Sequence, residues 1–314
     1  MALSAVLVDV GLVAVAVVAL WGGAAQFVAG ASSLARWVGL SELVIGLTVV
    51  AFGTSAPEFA VTIDAALTAS TDISVGNVVG SNILNLGFIL GGAALIRAMP
   101  ASRDLIQRDA VVLVGSTIVV FLLLADLRLS RPEGLALVAL LVGYLLVLAR
   151  SGAERLRGGD AEAGAVPFRP LDVVRLVGGL AVVVAGAHVL VLSASDLARV
   201  AGVSEWVIGL TVVALGTSTP ELATSLVAAR SGQSGLSAGN LVGSCVFNFL
   251  GVLGVAAALQ PLPVTATALD SMWWLLVIAV AAAFLFWSRS VLSRLEGGLL
   301  VGLNAANWVT NLLP

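Results

Sequence analysis

Long apolar stretches, separated by short charged or turn-rich segments, run through the whole chain of 314 residues. Several of them exceed the ~18–20 residues that a helix needs to cross a bilayer. Helices are predicted because a spanning segment must satisfy its own backbone hydrogen bonds, and the short alternating segments of a membrane barrel do not occur. The pattern predicts ten spans, near 8–29, 42–69, 75–96, 110–125, 134–149, 172–194, 205–229, 236–259, 270–288 and 296–312.

The composition agrees with a bilayer environment. Hydrophobic residues make up 60% of the chain and charged residues 11%, whereas a soluble domain has roughly 25% charged residues. We therefore predict an all-α integral membrane protein of the cell membrane, surrounded by lipid. No basic run suggests a nucleic-acid partner, and the single cysteine, Cys245, excludes an intrachain disulfide.

The arginines predict the orientation. All fifteen basic residues are Arg. With the N-terminus outside, twelve of them fall in or beside inner loops and three (Arg128, Arg131 and Arg199) in outer ones, and positive charge collects on the cytoplasmic side. The polar stretch "RSGAERLRGGDAEAGAVPFRP" at 150–170 is then a cytoplasmic linker. Ten spans put both termini outside.

Two blocks of sequence occur twice. "SELVIGLTVVAFGTSAPE" at 41–58 matches "SEWVIGLTVVALGTSTPE" at 204–221 in fifteen of eighteen positions. The same offset of 163 residues carries "GNVVGSNILN" at 76–85 onto "GNLVGSCVFN" at 239–248. Two matched blocks with the same internal spacing indicate an internal repeat.

The repeat predicts two halves of five helices, residues 1–149 and 172–314, joined by the short linker 150–171. Each half carries its motifs on its second and third helices. Since five is odd, the second half enters the membrane with reversed polarity. Such inverted-topology repeats occur in many secondary transporters, which bind substrate near the midplane where the halves meet.

Each half buries one glutamate deep in its second helix. Glu58 and Glu221 lie roughly sixteen residues into their spans. A carboxylate at the bilayer centre costs at least ~2.5–3.5 kcal/mol, so it marks a functional site by default. Helix packing can explain the repeated glycines, but it does not explain a repeated glutamate.

The residues around the glutamates offer further oxygen atoms. Pro57 and Pro220 each remove a backbone donor, so "GTSAPE" and "GTSTPE" are predicted to kink or partly unwind their helices. Unwinding would release carbonyl oxygens and bring hydroxyls near the carboxylates. The candidate donors are the carbonyls of Ala51, Thr54, Ala214 and Thr217, the hydroxyls of Thr54, Ser55, Thr217, Ser218, Ser81 and Ser244, and the amides of Asn85 and Asn248.

Hard oxygen donors suit Ca²⁺, Na⁺ and Mg²⁺. Ca²⁺ tolerates an irregular cage of oxygens, whereas Mg²⁺ prefers to keep its waters. Two carboxylates also match one divalent charge. Asp64 and His188 stand where the other half has Val227 and Ala25, so the repeat assigns neither to the site, and His188 is expected to pack between helices.

"GTSAPE", "GTSTPE" and the two "GNxxGS" blocks resemble the repeats of sodium/calcium exchangers, in the Ca²⁺/cation antiporter superfamily, and most of all the prokaryotic ten-helix type. The resemblance implies a transporter and no enzyme, with Ca²⁺ and Na⁺ as transported ligands and no cofactor. It also implies alternating access, in which the helices near 8–29 and 172–194 slide past a fixed core.

The resemblance further implies a diamond of four cation sites. Its central Ca²⁺ site would use Glu58, Glu221 and the Thr54 and Thr217 carbonyls. One Na⁺ site would use the Ala51 carbonyl, Ser55, Glu58 and Ser244, and the other the Ala214 carbonyl, Ser218, Glu221 and Ser81. Asn85 and Asn248 would complete the middle, where some relatives carry Asp at position 248.

Other functions are compatible with parts of this pattern. Ca²⁺/H⁺ exchange could use the same two glutamates, although protons need no shell of Ser and Thr oxygens. A gated cation channel would more often line its pore by symmetry between subunits. An intramembrane hydrolase using Ser55 or Ser218 lacks a matching histidine.

Overall fold

The computed structural model describes residues 3–68, 71–157, 169–202 and 214–312. Apart from four two-residue strands, the regular structure in these ranges is helical. The helices are α1, Leu3–Val38; α2, Glu42–Thr54; α3, Ala56–Leu67; α4, Thr71–Ile83 continued by Leu84–Ile89 and Leu90–Ile96; α5, Leu105–Asp126; α6, Arg131–Arg157; α7, Pro170–Val200; α8, Ala214–Thr217; α9, Thr219–Arg230; α10, Ser234–Leu259; α11, Ala266–Arg289; and α12, Arg294–Leu312.

Among the described residues, seven helices are long and apolar enough to cross a membrane, and α2 with α3 forms an eighth span if the bent pair is counted as one. The multi-pass membrane character is thereby confirmed. The span expected near 205–229 is described from Ala214 onwards, as α8 and α9. The linker predicted at 150–170 begins as a continuation of α6, which runs to Arg157, and 158–168 lie outside the described residues.

The first and sixth predicted spans were too short. α1 continues past residue 29 to Val38, and α7 continues past residue 194 to Val200. Each helix is followed closely by a glycine with positive φ, Gly39 at 75° and Gly202 at 80°. Because glycine takes this left-handed conformation without strain, it commonly ends a helix, and the polar residues before it do not.

The kink predicted at "GTSAPE" is confirmed. α2 and α3 meet at an angle of 49°, with Ser55 between them at φ −81° and ψ 9°. The break recurs in the second half at Ser218, with φ −85° and ψ 4°. Pro57 and Pro220 lie in the first turn of α3 and α9, where a missing backbone donor is tolerated.

Both α4 and α10 contain a π-helical segment, which the sequence did not predict. The segments are Leu84–Ile89 and Asn248–Leu253. A π-helical turn holds an extra residue, and α2, α5 and α7 also contain one, at Gly46–Val50, Leu105–Asp109 and Val174–Gly178. Asn85 lies inside the first segment and Asn248 opens the second.

Four short strands, also not predicted, pair the two halves. They are β1 (Met99–Pro100), β2 (Arg128–Leu129), β3 (Leu262–Pro263) and β4 (Val291–Leu292), and β1 pairs with β4 and β2 with β3. Adding 163 to the numbers of β1 and β2 gives those of β3 and β4. The two pairs are therefore equivalent contacts, and the fold repeats itself at the offset found in the sequence.

α1 and α7 form a close antiparallel pair outside the main core. A Cβ atom on Gly30 would lie 2.5 Å from the Leu176 nitrogen, and one on Gly179 would lie 2.5 Å from the Phe27 nitrogen. Small residues allow such backbone contact between membrane helices. α4 and α10 are instead buried over most of their length and carry the functional motifs through the centre.

Candidate cation-binding site

Both glutamates lie at the centre of the fold. Glu58 and Glu221 are completely buried. Each occupies the first turn of a twelve-residue helix, α3 or α9. The amino end of a helix carries partial positive charge, which favours a carboxylate. The break at Ser55 and at Ser218 therefore places the start of a helix beside each acid.

Hydrogen bonds cross between the halves at these acids. Ser55 Oγ donates to Glu221 Oε1 over 2.8 Å, and Ser218 Oγ donates to Glu58 Oε1 over 3.0 Å. The two bonds are equivalent in the repeat, because Ser218 and Glu221 stand 163 residues after Ser55 and Glu58. Each glutamate is thus bound by the broken helix of the opposite half.

A second serine reaches each glutamate from its own half. Ser81 Oγ donates to Glu58 Oε1 and Ser244 Oγ to Glu221 Oε1, both over 3.4 Å. The resemblance grouped Ser55 and Ser244 with Glu58, whereas the structure joins this serine pair to Glu221. In these hydrogen bonds each serine donates its hydroxyl hydrogen to a carboxylate oxygen. A bound cation would instead be coordinated by the lone pairs of the serine oxygen, so the two ligand sets stay a prediction.

The other carboxylate oxygens have no protein partner. Buried atoms of the site that form no hydrogen bond are Glu58 Oε2, Glu221 Oε2, Asn85 Oδ1 and Nδ2, and Asn248 Oδ1. An unsatisfied buried polar group costs about 1–3 kcal/mol, more if charged. The ion pairs among the described residues use other acids, Asp109, Asp172 and Asp196. Two carboxylates without a basic partner in the described chain are suited to a cation.

Two asparagines that the sequence analysis did not assign to the site support its threonines. Thr54 Oγ1 donates to Asn240 Oδ1 over 3.0 Å, and Thr217 Oγ1 donates to Asn77 Oδ1 over 3.4 Å. Asn77 Nδ2 in turn donates to the Glu58 carbonyl over 3.3 Å. The signal was present, because Asn77 and Asn240 are repeated at the same offset.

The middle of the site joins α4 to α10. Asn248 Nδ2 donates to Asn82 Oδ1 over 3.0 Å, and Asn82 Nδ2 donates to the Cys245 carbonyl over 3.1 Å. Asn82 and Cys245 are equivalent positions of the two halves, so the symmetry is broken here. The amide oxygen of Asn248 forms no hydrogen bond, and neither does the amide oxygen or nitrogen of Asn85.

The helix break does not release the Ala51 carbonyl. This carbonyl keeps a helical hydrogen bond from the Ser55 amide, at 3.0 Å. Pro57 lacks an amide hydrogen, so the carbonyl deprived of a helical donor is that of Gly53. Of Ala214, the structure describes the backbone, which opens α8.

Asp64 and His188 lie away from this centre, and both are exposed on the surface of the fold. Cys245 is buried, with Sγ 3.9 Å from the Asn82 carbonyl. No group of three or more His, Cys, Asp or Glu side chains occurs among the residues the structure describes. The acidic part of the site is therefore the pair Glu58 and Glu221.

α2 covers the glycine face of α10 beside the site. A Cβ atom on Gly243 would lie 2.7 Å from Leu47 Cα, and one on Gly239 would lie 3.0 Å from the Leu47 nitrogen. For Gly80 and Gly76, the equivalent positions of α4, no described residue lies within 4 Å of such an atom, and the equivalent of this part of α2 falls in residues 203–213, outside the described ranges.

Comparison with known proteins agrees with this arrangement. A family model described as sodium/calcium exchanger protein matches residues 8–150 and 171–312. The putative antiporter CaxA of Alkalimonas amylolytica is 36% identical over 311 residues, covering 96% of each chain. The sodium/calcium exchanger MaX1 of Methanosarcina acetivorans is 32% identical over 290 residues, covering 77% of this chain and 80% of its own.

A solved structure is similar along the full length. The sodium-calcium exchanger NCX_Mj matches with a TM-score of 0.87 and 31% sequence identity, covering 97% of this chain and 99% of its own. Family model, relatives and structure point the same way. The chain belongs to the sodium/calcium exchanger family.

Proposed function

We propose that this chain is a secondary antiporter that exchanges Na⁺ for Ca²⁺ at a site shared by Glu58 and Glu221. The observation that carries the proposal is the state of the two carboxylates. Each has one oxygen held by two serine hydroxyls and the other without a partner. No basic side chain pairs with them among the described ion pairs. The relatives MaX1 and NCX_Mj are named as sodium/calcium exchangers.

The donor set suits Ca²⁺ at the centre. Ca²⁺ takes 6–8 oxygen ligands at 2.3–2.6 Å and accepts irregular geometry. Glu58 and Glu221 would supply the charge, and the carbonyls of Thr54 and Thr217 would supply neutral oxygens. The amides of Asn85 and Asn248 have oxygens without partners and would add coordination without charge.

The serines favour Na⁺ as the coupling ion. Ser55 with Ser244 and Ser218 with Ser81 form two flanking oxygen clusters, which the Ala51 and Ala214 carbonyls would complete. A proton needs one basic oxygen, whereas Na⁺ needs a shell of oxygen ligands, so the four serine hydroxyls around the two acids suit Na⁺ better. Two flanking sites and a central one hold more than two Na⁺ per Ca²⁺, which makes the exchange electrogenic.

The antiparallel contact of α1 with α7 supports an inverted repeat. These two helices are equivalent by the offset of 163 residues. Gly30 contacts Leu176 and Gly23 contacts Val182, so the residue numbers of α7 rise where those of α1 fall and the helices run antiparallel. Equivalent helices that run in opposite directions belong to halves of opposite orientation. The arginine distribution supports a cytoplasmic position for the 150–171 linker and an outer position for both termini.

The close pair of α1 and α7 supports alternating access. The two helices approach backbone to backbone at Gly30 and Gly179, and small residues at such a contact let membrane helices pack closely. α1 and α7 would slide together along the core during the exchange.

Ion flux into proteoliposomes tests the proposal. Purified protein is reconstituted and ⁴⁵Ca²⁺ uptake is measured with a Na⁺ gradient, a pH gradient or neither. Na⁺-driven exchange predicts uptake with the Na⁺ gradient alone. Uptake that follows the pH gradient without Na⁺ would establish Ca²⁺/H⁺ exchange at the same acids, and uptake that needs neither gradient would establish a channel.

A further inference from the structure

Thr224 carries a buried hydroxyl that none of the interactions above uses. The side chain is completely buried, and Oγ1 forms no hydrogen bond. Its equivalent in the first half is Val61, which is similar in shape but has no hydroxyl. The second half therefore holds one buried polar atom that packing alone does not require.

Two other buried threonines satisfy their hydroxyls within their own helix. Thr117 donates to the Leu113 carbonyl over 2.8 Å. Thr219, in the same helix as Thr224, donates to the Leu215 carbonyl over 2.9 Å. This bond to the carbonyl four residues back is the usual solution for a threonine in a membrane helix. Thr224 does not make it, so its oxygen is left available.

The neighbour of Thr224 toward the site is Glu221. Residues three apart on a helix lie on the same face, with Cβ atoms about 5–6 Å apart. Glu221 Oε2, like Thr224 Oγ1, has no hydrogen-bond partner. α9 thus presents two unpartnered oxygens on successive turns, one charged and one neutral.

The residues beside Thr224 face the sliding helix. Val227 and Ala228, three and four positions further along α9, belong to one apolar cluster with Phe27 and Val28 of α1 and Ile45 of α2. Ala223 packs against the same cluster. Thr224 therefore lies beside the part of α9 that shares this apolar cluster with α1 and α2.

We propose that Thr224 is a cation ligand on the inner route, used together with Glu221. In the proposed orientation α9 runs from the outside inward, so Thr224 is one turn closer to the cytoplasm than Glu221. When α1 slides along the core, a hard cation leaving or entering the site would be held by Glu221 Oε2 and Thr224 Oγ1. This inference rests on the proposed function. It adds a transient cation-binding position on the inner route, which the outer route lacks because Val61 has no hydroxyl.

The test compares the two faces of the membrane. Inside-out and right-side-out vesicles give the half-saturating Ca²⁺ concentration at each face for Thr224→Val, Thr224→Ser and the unmodified protein. Valine keeps the shape and removes the oxygen, and serine keeps the oxygen. We expect Thr224→Val to raise the inner value about fivefold, as for the loss of one polar contact, with the outer value unchanged. Thr224→Ser is expected to behave as the unmodified protein.

Three results would overturn the inference: an unchanged inner value in Thr224→Val, an equal change at both faces, or the same change in Thr224→Ser. Val61→Thr supplies an independent variant, expected to lower the half-saturating concentration at the outer face, and no change there would also count against the inference. The comparison can be driven by a Na⁺ or a pH gradient, so its outcome is separate from the identity of the coupling ion.

Discussion

Ser55 in the first half donates a 2.8 Å hydrogen bond to Glu221 in the second half. The equivalent serine of the second half, Ser218, donates to Glu58 in the first half. Each acid is therefore completed by a residue about half the chain away. Neither half contains a finished site, so the chemistry exists only where the two repeats meet. This relationship motivates the predictions that follow.

The first prediction concerns the acids themselves. Glu58→Gln and Glu221→Gln should each lower Ca²⁺ transport at least about 100-fold, because each removes half of the charge that balances a divalent ion in a low-dielectric site. Both proteins should still fold, since glutamine accepts the same serine hydroxyls. Flux assays and gel filtration of the purified variants measure the two properties.

Asp64→Asn is the matched control for the acids. Asp64 lies on the same helix as Glu58 but is exposed. It should transport at the normal rate. Near-normal Ca²⁺ flux in either glutamine variant, or an equal loss in Asp64→Asn, would contradict a site shared by the two buried glutamates.

The second prediction concerns the close contact of α2 with α10. A Cβ on Gly243 would lie 2.7 Å from Leu47 Cα. Gly243→Ala should therefore destabilise the protein by about 1–3 kcal/mol through overpacking. Gly143→Ala, at an exposed position of α6, is the control and should not lower thermal stability. Thermal denaturation of the detergent-purified proteins compares the two, and an equal loss of stability in both would contradict the contact.

The third prediction concerns orientation. A single cysteine introduced as Asp160→Cys, with Cys245→Ser to remove the buried native thiol, should be labelled by an impermeant maleimide from the cytoplasmic side. The reason is the placement of twelve arginines inside and three outside. A second cysteine, introduced as Ala2→Cys, should be labelled from the opposite side. Labelling of residue 160 in intact cells would reverse the assignment.

Much of this architecture could be predicted from the sequence. Hydrophobic length gives the spans, and Pro57 beside Gly53 predicts a break that the structure has at Ser55. The acids were identified because burying a charge is expensive wherever it occurs. These are local properties, or simple repeats, that a single chain displays directly.

Other features depend on contacts between distant segments. The crossed bonds from Ser55 to Glu221 and from Ser218 to Glu58 cannot be read from spacing, because they depend on how two halves dock. The π-helical turns at Asn85 and Asn248 arise from packing and have no reliable sequence signal. Asn240 supports Thr54, yet alone it resembles any asparagine that joins membrane helices.

The most direct measurement of the central claim is the simultaneous flux of ²²Na⁺ and ⁴⁵Ca²⁺ in one set of proteoliposomes, at clamped potentials and equal pH on both sides. Two acids give the site a charge near −2, so three Na⁺ would leave +1 where one Ca²⁺ leaves none. Moving that charge couples exchange to voltage by ~2.3 kcal/mol per 100 mV. The account predicts more than two Na⁺ for each Ca²⁺, a flux that changes with voltage, and loss of both fluxes in Glu221→Gln. Ca²⁺ flux that ignores Na⁺ and requires a pH gradient would contradict it.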